Sequence, residues 1–96
     1  MRKDKILKIL EEVKNEAKDK YKAEIKGIFG LYARGDEREG SDIDVLVEFL
    51  KGASLFDLVR LGDFLEERLH CKVDIVSQKA IKEEIKPYIY NDLVHI

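Results

Sequence analysis

From Asp42 onward the chain alternates strictly. Ile43, Val45, Val47 and Phe49 point one way, and Asp42, Asp44, Leu46 and Glu48 point the other. A period of two is the mark of a strand with one buried face. It therefore sets two carboxylates at i and i+2 on the start of a half-buried strand. At a rise of about 3.3 Å per residue their Cα atoms are roughly 6.6 Å apart on one face. A second alternating run, Lys72 to Ser77, carries Asp74 against Val73 and Ile75. If the two strands are neighbours, three carboxylates share one patch of sheet.

Such a patch is unfavourable on its own, because two like charges ~5 Å apart at an effective dielectric of 20 repel by roughly 3 kcal/mol. A hard cation would relieve it. Oxygen-only ligands suit Mg²⁺ or Mn²⁺ and match zinc or copper poorly. Carboxylates spaced in this way can converge on ions about 3.5–4 Å apart, the separation of two-metal phosphoryl-transfer sites. Spacing alone leaves a plainer alternative open, in which Asp42 caps a strand end while Asp44 and Asp74 face water.

The remaining chain supplies one small α/β unit, residues 1–96 reading as a single domain. Ile6, Leu10, Val13 and Ala17 recur at helical steps and predict an amphipathic helix over residues 4–20. Ala23 to Leu31 is a strand candidate in which Gly27 and Gly30 permit close backbone approach. Leu31 to Arg34 could wind into a helical turn ended by Gly35 in the left-handed conformation. The loop from Asp36 to Gly40 is all charge and glycine and reads as exposed and mobile. Ser54 with Asp57 resembles a capping box. It opens a helix to about Leu69, with Leu55, Leu58, Val59, Phe64, Leu65 and Leu69 as the buried candidates. Gly62 inside that helix suggests close packing there. Gln78 to Lys86 reads as a short helix interrupted by Pro87, a further turn could run from Tyr88 to Asp92, and Leu93 to Ile96 could be extended. The architecture expected is a mixed sheet of three to four strands with helices packed on one face.

Composition excludes several classes. With 18 basic and 20 acidic side chains and a net charge of -2, the chain lacks the basic footprint of a nucleic-acid-binding domain. Cys71 is the single cysteine, which excludes a disulfide framework and a cysteine-rich zinc site; it reads as a small buried apolar residue. No apolar run approaches the ~20 residues of a spanning helix, and the N-terminus lacks the apolar core of a signal peptide, so a cytoplasmic protein is expected. His70 and His95 stand apart from any ligand cluster and read as surface residues. Tyr88 and Tyr90 are either packing residues or part of a partner surface.

The order of the pieces carries a further signal. FGLYARG precedes SDIDVLVEF, and SLFDLVRL and KVDIVS follow. Gly30-Leu31 is separated by the ten residues 32–41 from Asp42-Ile43-Asp44. This resembles the minimal nucleotidyltransferases of the DNA polymerase β superfamily, whose signature is Gly-Ser, a ten-residue spacer and Asp-x-Asp, and the likeness extends over nearly the whole chain. The resemblance implies a polymerase β-like nucleotidyltransferase fold and transfer of AMP from ATP with release of pyrophosphate. It implies two Mg²⁺ ions (Mn²⁺ as the alternative) on Asp42, Asp44 and Asp74, the last also activating the acceptor hydroxyl. It places Gly30, Leu31, Arg34 and Ser41 at the nucleotide, although Arg34 reads equally well as an exposed turn residue and Ser41 as a partner of the backbone.

Many small members of that family are antitoxins that adenylylate a tyrosine on a HEPN-type toxin encoded nearby. This implies such a partner, and a homo-oligomer is compatible with it. One position departs from the pattern: Leu31 stands where the family has serine. A hydrogen bond to a charged group contributes about 1.5–3 kcal/mol, so its loss predicts a roughly ten- to hundredfold weaker nucleotide interaction and reduced activity. Two rival functions follow, an antitoxin that acts by binding alone and nucleotidyl transfer to a small molecule.

Overall fold

The computed structural model describes residues 1–96. The elements run α1 (Lys3–Tyr21), β1 (Ala23–Phe29), α2 (Gly30–Arg34), β2 (Ile43–Phe49), α3 (Leu55–Leu69), β3 (Val73–Ser77), a single 3₁₀ turn (Gln78–Ala80), α4 (Lys86–Asp92) and β4 (Val94–His95). The four strands form one mixed sheet in the order β3-β2-β1-β4. β1 is antiparallel to both β2 and β4, whereas β2 and β3 are parallel and joined through α3.

The period of β2 divides the sheet into two faces. Ile43, Val45 and Val47 are fully buried and join Ile25 and Ile28 beneath Ile6, Leu10, Val13 and Ala17 of α1 and Leu61, Leu65 and Leu69 of α3. On the opposite face Leu46 is also fully buried but lies outside that cluster. The 3₁₀ turn packs near β2 and α4 near β1, with Ile89 of α4 buried. A hydrogen bond from Gln78 Nε2 to the Tyr90 hydroxyl, at 3.1 Å, ties the 3₁₀ turn to α4. Gly27 is where β4 approaches: a Cβ there would lie 2.1 Å from the Val94 carbonyl oxygen.

The capping box of α3 forms as expected, the Ser54 N–H donating to Asp57 Oδ2 at 2.8 Å. The buried stripe behind it is shifted from the expectation. Leu55 and Val59 are 75% and 55% exposed, Leu58 and Phe64 are half-buried, and Leu61 is fully buried. Only the C-terminal part of α3 presents a buried face, so the apolar residues of its first turn stay in solvent. Gly62 is not forced by crowding, since a Cβ there would make ordinary contact with Ile75 Cδ1 at 3.7 Å.

The helix expected over residues 78–86 is replaced by the 3₁₀ turn and a non-helical stretch. Helix resumes only at Lys86, with Pro87 in its first turn. Proline has no N–H to donate and so suits a helix start better than a helix end. The tail extends as β4, and His70 ends α3 in the left-handed conformation (φ 53°). No helix is long and apolar enough to cross a membrane.

Candidate active site

The three aspartates lie on the less covered face. In the parallel pairing of β2 with β3, Asp44 sits directly opposite Asp74, at the ~4.8 Å spacing of neighbouring strands. Asp42 precedes β2 by one residue and shares the parity of Asp44. Asp42 and Asp74 are exposed, whereas Asp44 between them is half-buried. The Asp44 carboxyl is raised from its usual 3.8 to about 6, by burial first and then by the negative charges of Asp74 and Asp42, with the Arg34 guanidinium partly opposing them. A carboxylate held against its own ionisation by two others is a place where a cation is favoured.

On the other side of Asp44 stands the β1–α2 junction. Phe29 pairs with Asp44 in the antiparallel register, and Gly30 follows with φ +75°. A Cβ at Gly30 would lie 2.3 Å from Asp44 Oδ2. Glycine is required here twice, for the left-handed backbone and for the space the carboxylate occupies. Gly35 ends α2 with φ 77°, its N–H directed to the Tyr32 carbonyl at 3.3 Å, and the Asp36 N–H reaches the Leu31 carbonyl at 2.9 Å.

The other expected site residues fall around this centre. Leu31, on the first turn of α2, is 38% exposed and belongs to no core cluster. Arg34 bonds through Nη1 to Asp92 of α4, and its Nε lies 3.5 Å from Asp36 Oδ2. These carboxylates hold its charge more firmly, Asp92 first. Ser41 Oγ accepts the Arg38 N–H at 2.9 Å while the Ser41 N–H donates to the Arg38 carbonyl, also at 2.9 Å. It thus closes the charged loop.

Cys71 is half-buried, its Sγ 3.8 Å from the Tyr32 hydroxyl and 3.6 Å from the Ser41 carbonyl oxygen. Asp92 and Tyr32 were not singled out from sequence. Asp92 becomes relevant only when α4 folds back onto α2, which no local pattern announces. Tyr32 is buried within the motif's ten-residue spacer, where its apolar neighbours were the only available hint.

The donor set is chemically that of Mg²⁺ or Mn²⁺, all carboxylate oxygen. The side chains as placed do not enclose an ion, no three of the His, Cys, Asp and Glu groups being gathered closely enough. The strand register brings the three positions together, and two of the three side chains are in solvent with room to turn.

Residues 6–95 match the nucleotidyltransferase domain family, and the chain belongs to it. A Methanocaldococcus jannaschii protein provisionally named a protein adenylyltransferase is 39% identical over 92 residues, which is 95% of this chain and 94% of that one. The protein adenylyltransferase MntA of Thermococcus cleftensis is 32% identical over 93 residues, covering 97% and 94% of the two chains. Among solved structures, one described provisionally as a minimal nucleotidyltransferase superposes with a TM-score of 0.83 at 31% identity, covering 100% of this chain and 97% of that one. A toxin–antitoxin structure with AMP-PNP shares the fold, with a TM-score of 0.64 at 23% identity over 92% of this chain and 66% of that one. The four-stranded mixed sheet is thus that of a minimal nucleotidyltransferase, and the enzyme class is nucleotidyl transfer.

Proposed function

We propose that the chain transfers AMP from ATP to a hydroxyl on a protein acceptor, a tyrosine of a helical HEPN-type toxin whose antitoxin it is. The observation that carries the reading is the face-to-face placement of Asp44 and Asp74 beside Gly30. Support for a protein acceptor comes from the names of the relatives. Support for a toxin partner comes from the family resemblance and from the fold shared with a toxin–antitoxin structure.

In this reading Asp42, Asp44 and Asp74 hold Mg²⁺, the exposed Asp42 and Asp74 turning about χ1 to complete the ligand set. Mg²⁺ held there would supply charge neutralisation for the transferred phosphoryl group. Gly30 keeps the backbone low beside Asp44, so that no side chain at that position stands between the carboxylate and a triphosphate on the first turn of α2. Arg34 supplies a fixed positive charge on the α4 side of that turn. Asp74, on the edge strand β3, accepts the proton of the acceptor hydroxyl. The acceptor oxygen then bonds to the α-phosphorus and pyrophosphate leaves. Leu31 offers no hydroxyl to the phosphates, so the nucleotide interaction rests on backbone N–H groups, Arg34 and the metal-bearing carboxylates.

A second reading, inhibition of the toxin by contact alone, is favoured by one observation, the exposed leucine at position 31. One assay separates the two. The protein is incubated with ATP labelled in its α-phosphate, Mg²⁺ and a HEPN-type helical partner. Label on the partner that disappears with Asp42→Ala or Asp74→Ala supports transfer. Partner inhibition without any label, with label appearing only for Leu31→Ser, supports the contact reading. Labelling that survives all three aspartate substitutions removes the metal assignment.

A further inference from the structure

β3 ends the sheet, with β2 on its inner side and no strand beyond it. The parallel ladder fixes which of its backbone groups face inward. The Ile43 N–H donates to the Lys72 carbonyl at 2.8 Å, and Ile43 pairs with Val73. The alternation that follows turns the N–H and C=O of Asp74 and Val76 toward β2. Those of Val73 and Ile75, with the Ser77 N–H, face outward. The Val73 N–H is taken, donating to Glu66 Oε2 of α3 at 3.0 Å. The N–H and C=O of Ile75 find no partner elsewhere in the fold. Glu66 thus blunts this edge at one end, as natural edge strands require, and leaves it open beside Asp74.

The side chains along the edge are sorted by face. Val73 and Ile75 are half-buried against the main core, Ile75 lying near Gly62 of α3, while Asp74 is exposed on the carboxylate face. Asp44 lies on one side of Asp74. A strand added on the other side would stand ~4.8 Å from β3. It would set one residue directly opposite Asp74, with its side chain on the same face. The two residues flanking that one would turn to the other face, beside Val73 and Ile75.

We propose that the outer edge of β3 is where the protein acceptor docks, as a fifth strand. The occupant is an extended segment whose tyrosine lies opposite Asp74 and is flanked on both sides by apolar residues. Main-chain bonds to Ile75 set its register, and an extended chain is the partner whose unpaired N–H and C=O groups match those of an edge. A tyrosine inside a helix has its backbone groups engaged within that helix, so the segment lies outside the partner's helical core. The proposal rests on the reading of transfer to a protein and adds how the hydroxyl is presented to Asp74.

The test uses the ¹⁵N-labelled full chain with an unlabelled HEPN-type helical partner and Mg²⁺. The nucleotide is α,β-methylene-ATP, whose α–β bridge is not cleaved, so the complex is held before transfer. In that complex the Ile75 amide is expected to exchange roughly tenfold or more slowly than in the free chain, and its proton to show NOEs to backbone Hα protons of the partner. Partner labelling from ATP labelled in its α-phosphate is the second readout. Ile75→Pro removes the outward N–H at a place where an edge strand accepts proline. It should lower labelling roughly fivefold, the loss of one main-chain hydrogen bond, at unchanged ATP affinity, whereas Ile75→Val should label as the wild type does. If circular dichroism shows Ile75→Pro unfolded, the wild-type amide decides alone. Wild-type labelling with an Ile75 amide equally fast in complex and free chain overturns strand docking and leaves transfer standing. Labelling that a folded Ile75→Pro leaves unchanged also overturns it, as does protection accompanied solely by side-chain NOEs, the sign of a covering helix. A wild type that labels no partner overturns both readings.

Discussion

The two faces of the sheet are built to different rules. Beneath α1 and α3, Ile25, Ile28, Ile43, Val45 and Val47 form a continuous apolar layer. One residue away along the same strands, the opposite face carries Asp44, Asp74 and Glu48, with Leu46 as its fully buried member in β2. The contrast shows how a chain of this size can hold a cluster of like charges. The strand period sends one set of side chains to stability and the alternate set to chemistry, so the cost of the second is carried by the first.

The largest effect should come from the charged face. Asp44→Ala is expected to reduce AMP transfer by about a thousandfold or more, because in the proposed function this carboxylate holds the metal and its loss removes electrostatic stabilisation of the transferred group. The thermal midpoint should be unchanged or slightly raised. Parallel losses of activity and stability would mean that the two faces are not separable. Leu65→Ala breaks the other side of the comparison. Leu65 is fully buried in the main core, and its truncation should lower unfolding free energy by about 2–5 kcal/mol in urea titration. The nucleotide KM should not change while the protein is folded.

Leu31→Ser comes next. The side chain is substantially exposed and outside the core, so the fold should shift by no more than about 0.5 kcal/mol. Nucleotide affinity should improve roughly ten- to hundredfold, from one regained hydrogen bond to a charged group. Unchanged affinity would show that the leucine is compensated elsewhere in the site.

The smallest effect sharpens the comparison through pH. The Asp44 carboxyl titrates at about 6 in the folded, metal-free protein against 3.8 ordinarily. Because the folded value is raised, folding favours the neutral acid. That contribution is fully present below about pH 3.8 and is lost as pH climbs through about 6. Two units correspond to about 3 kcal/mol, which solvent screening at a half-exposed group reduces to about 1–2 kcal/mol. Asp44→Asn should accordingly gain that much on the wild type at neutral pH and nothing near pH 3.5. Added Mg²⁺ should close the gap by stabilising only the wild type. A gap independent of pH would refute the assigned strain.

The strands and the carboxylate face were legible from sequence because both depend on local period. β2, β3, the capping box before α3 and the left-handed turn at Gly35 all follow from residues a few positions apart. What failed depended on distance. The buried stripe of α3 was misplaced because an apolar residue such as Leu55 carries no sign that its end of the helix lies beyond the covered sheet. The helix expected over residues 78–86 ignored that Pro87 serves better as a beginning than as an interruption. Arg34 was visible as a charged turn residue, but its partner Asp92 lies 58 positions along the chain. The meeting of α2 with α4 was hidden with it. The facing of Asp44 and Asp74 could be anticipated only as a condition on which strands are neighbours, and the parallel register meets that condition.

One consequence of the β1–α2 junction concerns how such a chain can change over generations. A side chain at position 30 and a carboxylate at position 44 compete for the same few ångströms, so the two positions form an epistatic pair. While Asp44 is kept, any replacement of Gly30 meets both a clash and an unfavourable backbone. Once Asp44 is lost, only the backbone penalty remains. A lineage that abandons its chemistry thereby relaxes a constraint at a residue that never touches the reacting atoms.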